Sequence, residues 1–226
     1  DLEAIAKLAK AKGIITMIDN SYCSSLYQQP IKYGIDLVAQ SATKYLAGHS
    51  DVVAGVVTGK KELIKKIFEK EYMNIGASMA PQNAWLLLRS LRTLPIRLER
   101  ITANANKVIG YLQQHPKVEK VLHPFSANNQ QLALAKKQMK ACGGLFSMVL
   151  KDTSLEKIES FCNNLKHILM AVSWGGYESL IIPACAGISK ADFDSNNQRH
   201  VLIRIYIGLE EPEYIIDDLE QALNAI

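Results

Sequence analysis

Cysteine is scarce in this sequence and never patterned. Cys23, Cys142, Cys162 and Cys185 include no CxxC pair, and 226 residues can cover a core without staples. Reduced thiols in a cytoplasmic protein are therefore expected, not a disulfide framework. The five histidines are scattered, without HxxxH or HxxE spacing, so no metal site is expected. No apolar run nears the roughly 20 residues of a membrane span. The visible start has no signal-peptide pattern. Net charge is only +4 with 21% charged residues, too weak a bias to indicate nucleic acid. The most basic run, "KKELIKKIFEK" at 60–70, has Leu63, Ile64, Ile67 and Phe68 at helical spacing. It reads as an amphipathic helix with a solvated lysine face, not a phosphate patch.

What is present is apolar patterning. At 48% hydrophobic content the chain suits one large domain or two small ones. Residues 1–12 read as a helix with Leu2, Ile5 and Leu8 or Ala9 on one face, stopped by Gly13. No cap precedes it, so the chain is expected to start inside an α/β domain. The alternative is a complete small protein that begins with a helix. Apolar runs at 14–18, 36–41 and 52–58 suit buried strands. The spacing from Asp19 to Asp36 is long enough for a crossover between parallel strands. An open sheet covered on both faces is expected.

Residues 81–113 read as helix, opened by Pro81, with Trp85, Leu88, Leu91 and Arg92 keeping the period. Pro95 must break or kink it. A second stretch follows through Ile101, Ala105, Val108 and Leu112. Beyond Pro116, short strands at 118–122, 144–150, 168–172, 178–182 and 201–207 alternate with helices near 130–141, 154–166 and 212–225. Thr153 and Glu156 have capping-box spacing. Pro212 opens the last helix, with Ile215, Ile216, Leu219 and Leu223 on its buried side. The domain expectation is 1–95, an interdomain helix at 96–115, and a smaller α/β domain at 116–226.

In open α/β sheets, ligands bind beyond the carboxyl ends of the strands. Asp19 ends one run; Ser41, Thr43 and Lys44 end the next. Parallel neighbours would bring a carboxylate, two hydroxyls and an amine to one rim. Two hydroxyls can hold phosphate oxygens. A sheltered lysine can lose its proton and bond to an aldehyde. A carboxylate can keep a ring nitrogen protonated. Pyridoxal phosphate makes this set of demands. Taken singly, Asp19 suits a loop cap, Lys44 a solvated amine, and Ser41 and Thr43 ordinary strand ends. Arg204 lies in an apolar strand, on the face of Leu202 and Tyr206. There an arginine fork can donate two parallel hydrogen bonds to a carboxylate. The alternative is an edge-strand arginine facing water.

The segments "IDNSY", "SATKYLAGHSDVVAG", "LLLRSLRTLPIRLER", "VSWGGYESL" and "LIRIYIGLEE" occur in that order. Over essentially its whole length the chain resembles the transsulfuration family of pyridoxal-phosphate enzymes. The resemblance implies part of a three-layer, fold-type I large domain with a mostly parallel sheet, followed by a smaller α/β domain. It implies covalent attachment of pyridoxal 5'-phosphate at Lys44, phosphate contacts from Ser41 and Thr43, and Asp19 opposite the ring nitrogen. It implies that Arg204 grips the substrate carboxylate, helped by Ser173 and Trp174. It further implies a small-molecule sulfur amino acid as substrate and a homo-oligomer, a dimer of dimers. The family's N-terminal elements, including an aromatic ring that stacks on the cofactor, have no counterpart here. An inactive fragment is therefore an alternative.

Three features bear on the chemistry. Ser21 and Tyr22 stand where the family commonly has Thr-Phe. "SWGGYESL" resembles bacterial cystathionine β-lyases, whereas γ-enzymes usually have Leu after that Ser. "IIPACAGIS" also departs from the His-Pro-Ala pattern frequent in γ-enzymes. The expectation is a carbon–sulfur β-lyase that converts cystathionine to homocysteine, pyruvate and ammonia. The alternative is γ-synthase or γ-lyase chemistry.

Overall fold

The apolar runs become strands of two separate sheets. The computed structural model describes residues 1–226. The chain forms two compact units: residues 1–96 with 133–142, and residues 97–132 with 143–226.

In the first unit, α1 (Leu2–Ala11) starts at Asp1, whose carboxylate accepts the Ala4 amide. It stops at Gly13, whose φ of +66° is the left-handed value that favours glycine. The helix buries Ala6, whereas Ile5 and Leu8 are exposed. Of the stripe expected on Leu2, Ile5 and Leu8 or Ala9, Leu2 packs against the cluster of Ala6, Ile35 and Val38 and Ala9 is half-buried, whereas Ile5 and Leu8 are not covered. Ala6 is small enough to sit against the chain at Gly34, where only 3.2 Å separates its Cβ from the place a Gly34 side chain would start.

Strand β1 (Met17–Asp19) pairs in parallel with β2 (Leu37–Ser41), Asp19 opposite Ala39. The crossover between them holds the short helix α2 (Ser24–Tyr27) and a 3-10 turn over Pro30–Tyr33. The third strand, β3 (Gly55–Gly59), is antiparallel to β2. The expected mostly parallel sheet is therefore mixed. The reason is the connection: the loop between Ser41 and Gly55 contains no crossover helix and turns the chain back alongside β2. Strand β3 also starts later than expected, because Val52 is buried with Ala42, Leu46 and Leu87 instead of pairing. Gly59 is required where it stands. A Cβ there would lie 2.4 Å from the Asp36 carbonyl oxygen.

Helix α3 (Lys61–Ile67) runs into a π turn at Phe68–Tyr72 and the short helix α4 (Met73–Ile75). Helix α5 (Pro81–Leu91) buries Leu87 and Ser90 and exposes Trp85 and Leu88. Helix α6 (Leu94–Gln114) follows after Arg92 and Thr93, with Pro95 in its first turn, where no amide donor is required. Helix α7 (Leu132–Gln138) packs largely within this first unit, and its Gln138 side chain accepts the Leu2 amide.

The second unit carries a five-stranded sheet in the order β4-β5-β8-β7-β6. Its strands are β4 (Val118–Leu122), β5 (Leu145–Leu150), β6 (Leu169–Met170), β7 (Leu180–Pro183) and β8 (Ile203–Tyr206). Only β6 and β7 pair in parallel. Helices α6, α8 (Leu155–Asn164) and α9 (Pro212–Asn224) contribute to one core with the strands. In it Ala105, Val108 and Leu112 of α6 and Leu219 and Leu223 of α9 are fully buried, and Ile101 of α6 is fully buried as well. The capping box expected at Thr153 and Glu156 does not form. Ser154 is the N-cap and makes no side-chain cap bond; Asp152 Oδ1 accepts the Ser154 amide instead. No helix is long and apolar enough to cross a membrane.

Candidate active site

Because β1 and β2 are parallel neighbours, their carboxyl ends share one edge, and Asp19 and Ser41 close the two strands there. Ser21 links them. Asp19 Oδ1 accepts the Ser21 amide at 2.9 Å and the Ser21 hydroxyl at 2.6 Å. The same hydroxyl oxygen accepts the Ser41 amide at 2.5 Å. Asn20 fixes the turn that follows. Its amide donates to the Ala39 carbonyl at 2.8 Å, and its side chain donates to the carbonyls of Ser24 and Gln28.

Lys44 lies in the turn just past β2. Its amide donates to the Ser41 carbonyl at 3.1 Å, and its carbonyl accepts the Gly48 amide at 2.8 Å. Fully buried Ala42 and Tyr45 flank this turn. Thr43 is committed elsewhere. Its amide and hydroxyl both donate to the Ala54 carbonyl, and its oxygen accepts the Ala54 amide at 3.0 Å. Thr43 thus pins the turn to the start of β3, and its hydroxyl hydrogen is not directed outward. His49 steadies the far end of the loop, with Nδ1 2.6 Å from the Ala47 carbonyl and 3.1 Å from the Ser90 hydroxyl.

No thiolate competes as a nucleophile near this rim. All four cysteines are free and buried. Burial, reinforced by Cys142, pushes the Cys23 thiol up to about 12, and burial raises Cys142 to about 11. The Tyr22 phenol is pushed up by burial and then by its hydrogen bond partner Cys142, so it also stays protonated.

In the second unit, Arg204 stands on β8, flanked by Ser147 of β5 and Ile182 of β7. It is therefore on a central strand, and the edge-strand alternative does not hold. Its Nη2 donates to the Ser173 carbonyl at 3.3 Å. Ser173 has φ +81°, a left-handed backbone that a non-glycine residue adopts only under local constraint. Two residues along the same face, the Tyr206 hydroxyl donates to the Gly176 carbonyl at 2.7 Å. Trp174, half-buried, lies between these two tie points. Behind them, Glu210 accepts the amide and hydroxyl of Ser179, and the Ser179 oxygen accepts the Gly208 amide.

Sequence reasoning missed Ser21 and Tyr206. For Tyr206 the signal was alternation: it is two residues past Arg204 on β8 and so falls on the same face. Ser21 lies in the turn past β1, where alternation carries no signal. What was missing was the register that places Ser21 against Ser41.

The chain matches the family described as Cys/Met metabolism PLP-dependent enzyme over residues 1–224. It is 40% identical over 228 residues to cystathionine β-lyase of Lactococcus lactis subsp. cremoris, covering 99% of this chain and 60% of that protein. It is 38% identical over 231 residues to cystathionine γ-lyase of Bacillus subtilis, covering 100% of this chain and 60% of that protein. Among solved structures it is similar to cystathionine γ-lyase from Lactobacillus plantarum complexed with L-serine. There the TM-score is 0.89 at 34% identity, covering 100% of this chain and 60% of that one. The chain thus spans about 60% of the length of these relatives.

Proposed function

The chain belongs to the Cys/Met metabolism PLP-dependent enzyme family, and from that membership we propose that the complete protein is a carbon–sulfur β-lyase. Its substrate would be cystathionine or a related sulfur amino acid, cleaved to a thiol, pyruvate and ammonia. One observation carries the chemistry: the parallel pairing of β1 and β2, which sets a carboxylate, a hydroxyl and the Lys44 turn along one edge.

The residues fit the cofactor in charge and donor type. Asp19 offers Oδ2 to a protonated ring nitrogen, because Oδ1 already accepts two hydrogen bonds. The Ser41 hydroxyl is a donor for a phosphate oxygen. Thr43 fits that role less well, since its hydrogen goes to the Ala54 carbonyl; here it holds the turn that carries Lys44. Bound pyridoxal phosphate supplies an electron sink for the pair left when the substrate Cα–H bond breaks. The Lys44 amine takes that proton as general base. Arg204 binds the substrate carboxylate by paired donors, and its bond to the Ser173 carbonyl holds the fork in orientation. Sulfur then leaves from Cβ with the electrons of the broken C–S bond.

Trp174 supports β- over γ-elimination. A γ-enzyme removes a second proton at Cβ before the Cγ bond breaks, and so must admit a longer reacting span. An indole on the residue after Ser173, whose carbonyl holds Arg204, would shorten it. The relatives named above include both β- and γ-lyases, so product analysis is the test. Incubation of the complete protein with cystathionine is expected to yield pyruvate and homocysteine. Formation of 2-oxobutyrate and cysteine would overturn the β assignment.

A further inference from the structure

The link from Asp19 through Ser21 to Ser41 has only one possible direction. The Ser41 amide can only donate, so the Ser21 oxygen accepts there. The Asp19 carboxylate can only accept, so the single hydroxyl hydrogen of Ser21 goes to Oδ1. The Ser21 amide donates to the same oxygen. Both donors of one residue thus converge on Oδ1 and leave Oδ2 for a third donor. Ser21 is itself 6% exposed, so water cannot readily replace its hydroxyl.

We propose that Ser21 is a positioning residue for the cofactor. By occupying Oδ1 it leaves Oδ2 to meet the ring nitrogen, and it ties the Asp19 carboxylate through Oδ1 to the strand end that carries Ser41. The inference rests on the reading of Asp19 given above. It adds that the two ends of the cofactor, ring nitrogen and phosphate, are held by groups joined through one hydroxyl. The bland alternative is that Ser21 merely connects two strand ends, in which case its loss would alter folding stability and nothing specific to the cofactor.

The test uses the complete protein and four variants: Ser21→Ala, Ser21→Thr, Ser21→Cys and Asp19→Asn. Pyridoxal phosphate is titrated into each apo protein by visible absorbance. The circular dichroism of the cofactor band is then recorded at saturation, as a report of ring orientation. Ser21→Ala is expected to weaken cofactor binding about ten-fold, the scale of one hydrogen bond to a charged group, and to reduce the induced signal. Ser21→Thr, which keeps a hydroxyl, is expected to retain both within about two-fold. Should Ser21→Ala not fold by far-ultraviolet dichroism, Ser21→Cys, with its weak thiol donor, takes its place and the same loss is expected. If the variant lacking the hydroxyl binds as wild type with an unchanged signal while Asp19→Asn is impaired, the role of Ser21 is overturned and that of Asp19 stands. If Asp19→Asn is also unimpaired, the reading of Asp19 fails and the inference with it. Equal impairment of Ser21→Thr and Ser21→Ala would mean that shape matters and the hydroxyl does not, which also overturns it.

Discussion

The two units treat their helices differently. In the second unit, the apolar stripes of α6 and α9 lie in the core: Ile101, Ala105, Val108 and Leu112 on one helix, Leu219 and Leu223 on the other, all fully buried. In the first unit, the same kind of stripe faces outward. Ile5 and Leu8 of α1 are 55% and 65% exposed, and Trp85 and Leu88 of α5 are 59% and 65% exposed. Helical periodicity therefore reports which face could be covered, not that this chain covers it. The contrast extends to what holds the proposed site residues. Arg204 is carried by a strand embedded in a large apolar core. Asp19, Ser41 and Lys44 are carried by a small three-stranded sheet knit by polar links: Ser21 to Asp19, Thr43 to Ala54, Asn20 to Ala39, and Thr16 to Asp36.

The contrast is broken most forcefully by cavity mutations. Phe161→Ala removes a fully buried ring from the second unit's core and is expected to cost about 3–5 kcal/mol by denaturant unfolding. Leu88→Ala, at an exposed position on α5, is expected to stay within about 0.5 kcal/mol. Equal costs would mean that α5 is covered in solution and the contrast is false. Next in size is Arg204→Lys. It keeps the charge but loses the fork, and is expected to lower kcat/KM about 10–100-fold, chiefly through KM, with the melting temperature little changed. An unaltered KM would remove Arg204 from carboxylate binding.

Acid separates the units more gently. Burial pushes His123, in the second unit, down to about 4 from an ordinary value near 6.5. The unfolded chain therefore binds a proton there that the folded chain does not. Stability falls as pH drops from about 6.5 toward 4 and levels off below. A His123→Gln variant is expected to lose that slope in urea midpoints measured between those pH values. Asp36, in the first unit, is held down to about 2 first by Lys60, whose Nζ lies 2.5 Å away, and then by the Thr16 amide and hydroxyl. Its contribution is present above pH about 4 and is lost as pH falls toward 2. Asp36→Asn is expected to flatten the curve in that lower window only. The effect should be the smallest of these, since Lys60 is well exposed and salt screens the pair.

Much of this was legible in the sequence. Strand β4 falls at 118–122 as expected, and the parallel pairing of β1 with β2 agrees with the crossover length. Pro95 and Pro212 sit in first helical turns, as the missing amide donor of proline requires. The failures are equally physical. Val52 and Val53 look like strand residues, yet Val52 is drawn into a cluster with Ala42, Leu46 and Leu87, and pairing starts only at Gly55. The direction of β3 depends on how a loop turns, which composition does not encode. Ser21 was noticed only as a departure from Thr; its bond to the Ser41 amide became visible once the register was known.

The central claim is that the amine of Lys44, on this polar-knit rim, carries the cofactor. Borohydride reduction of the complete protein loaded with pyridoxal phosphate, followed by peptide mass mapping, tests it directly. The account predicts a single cofactor adduct on the peptide containing Lys44, abolished in Lys44→Ala. A stable adduct on any other lysine, with the Lys44 peptide unmodified, would contradict it.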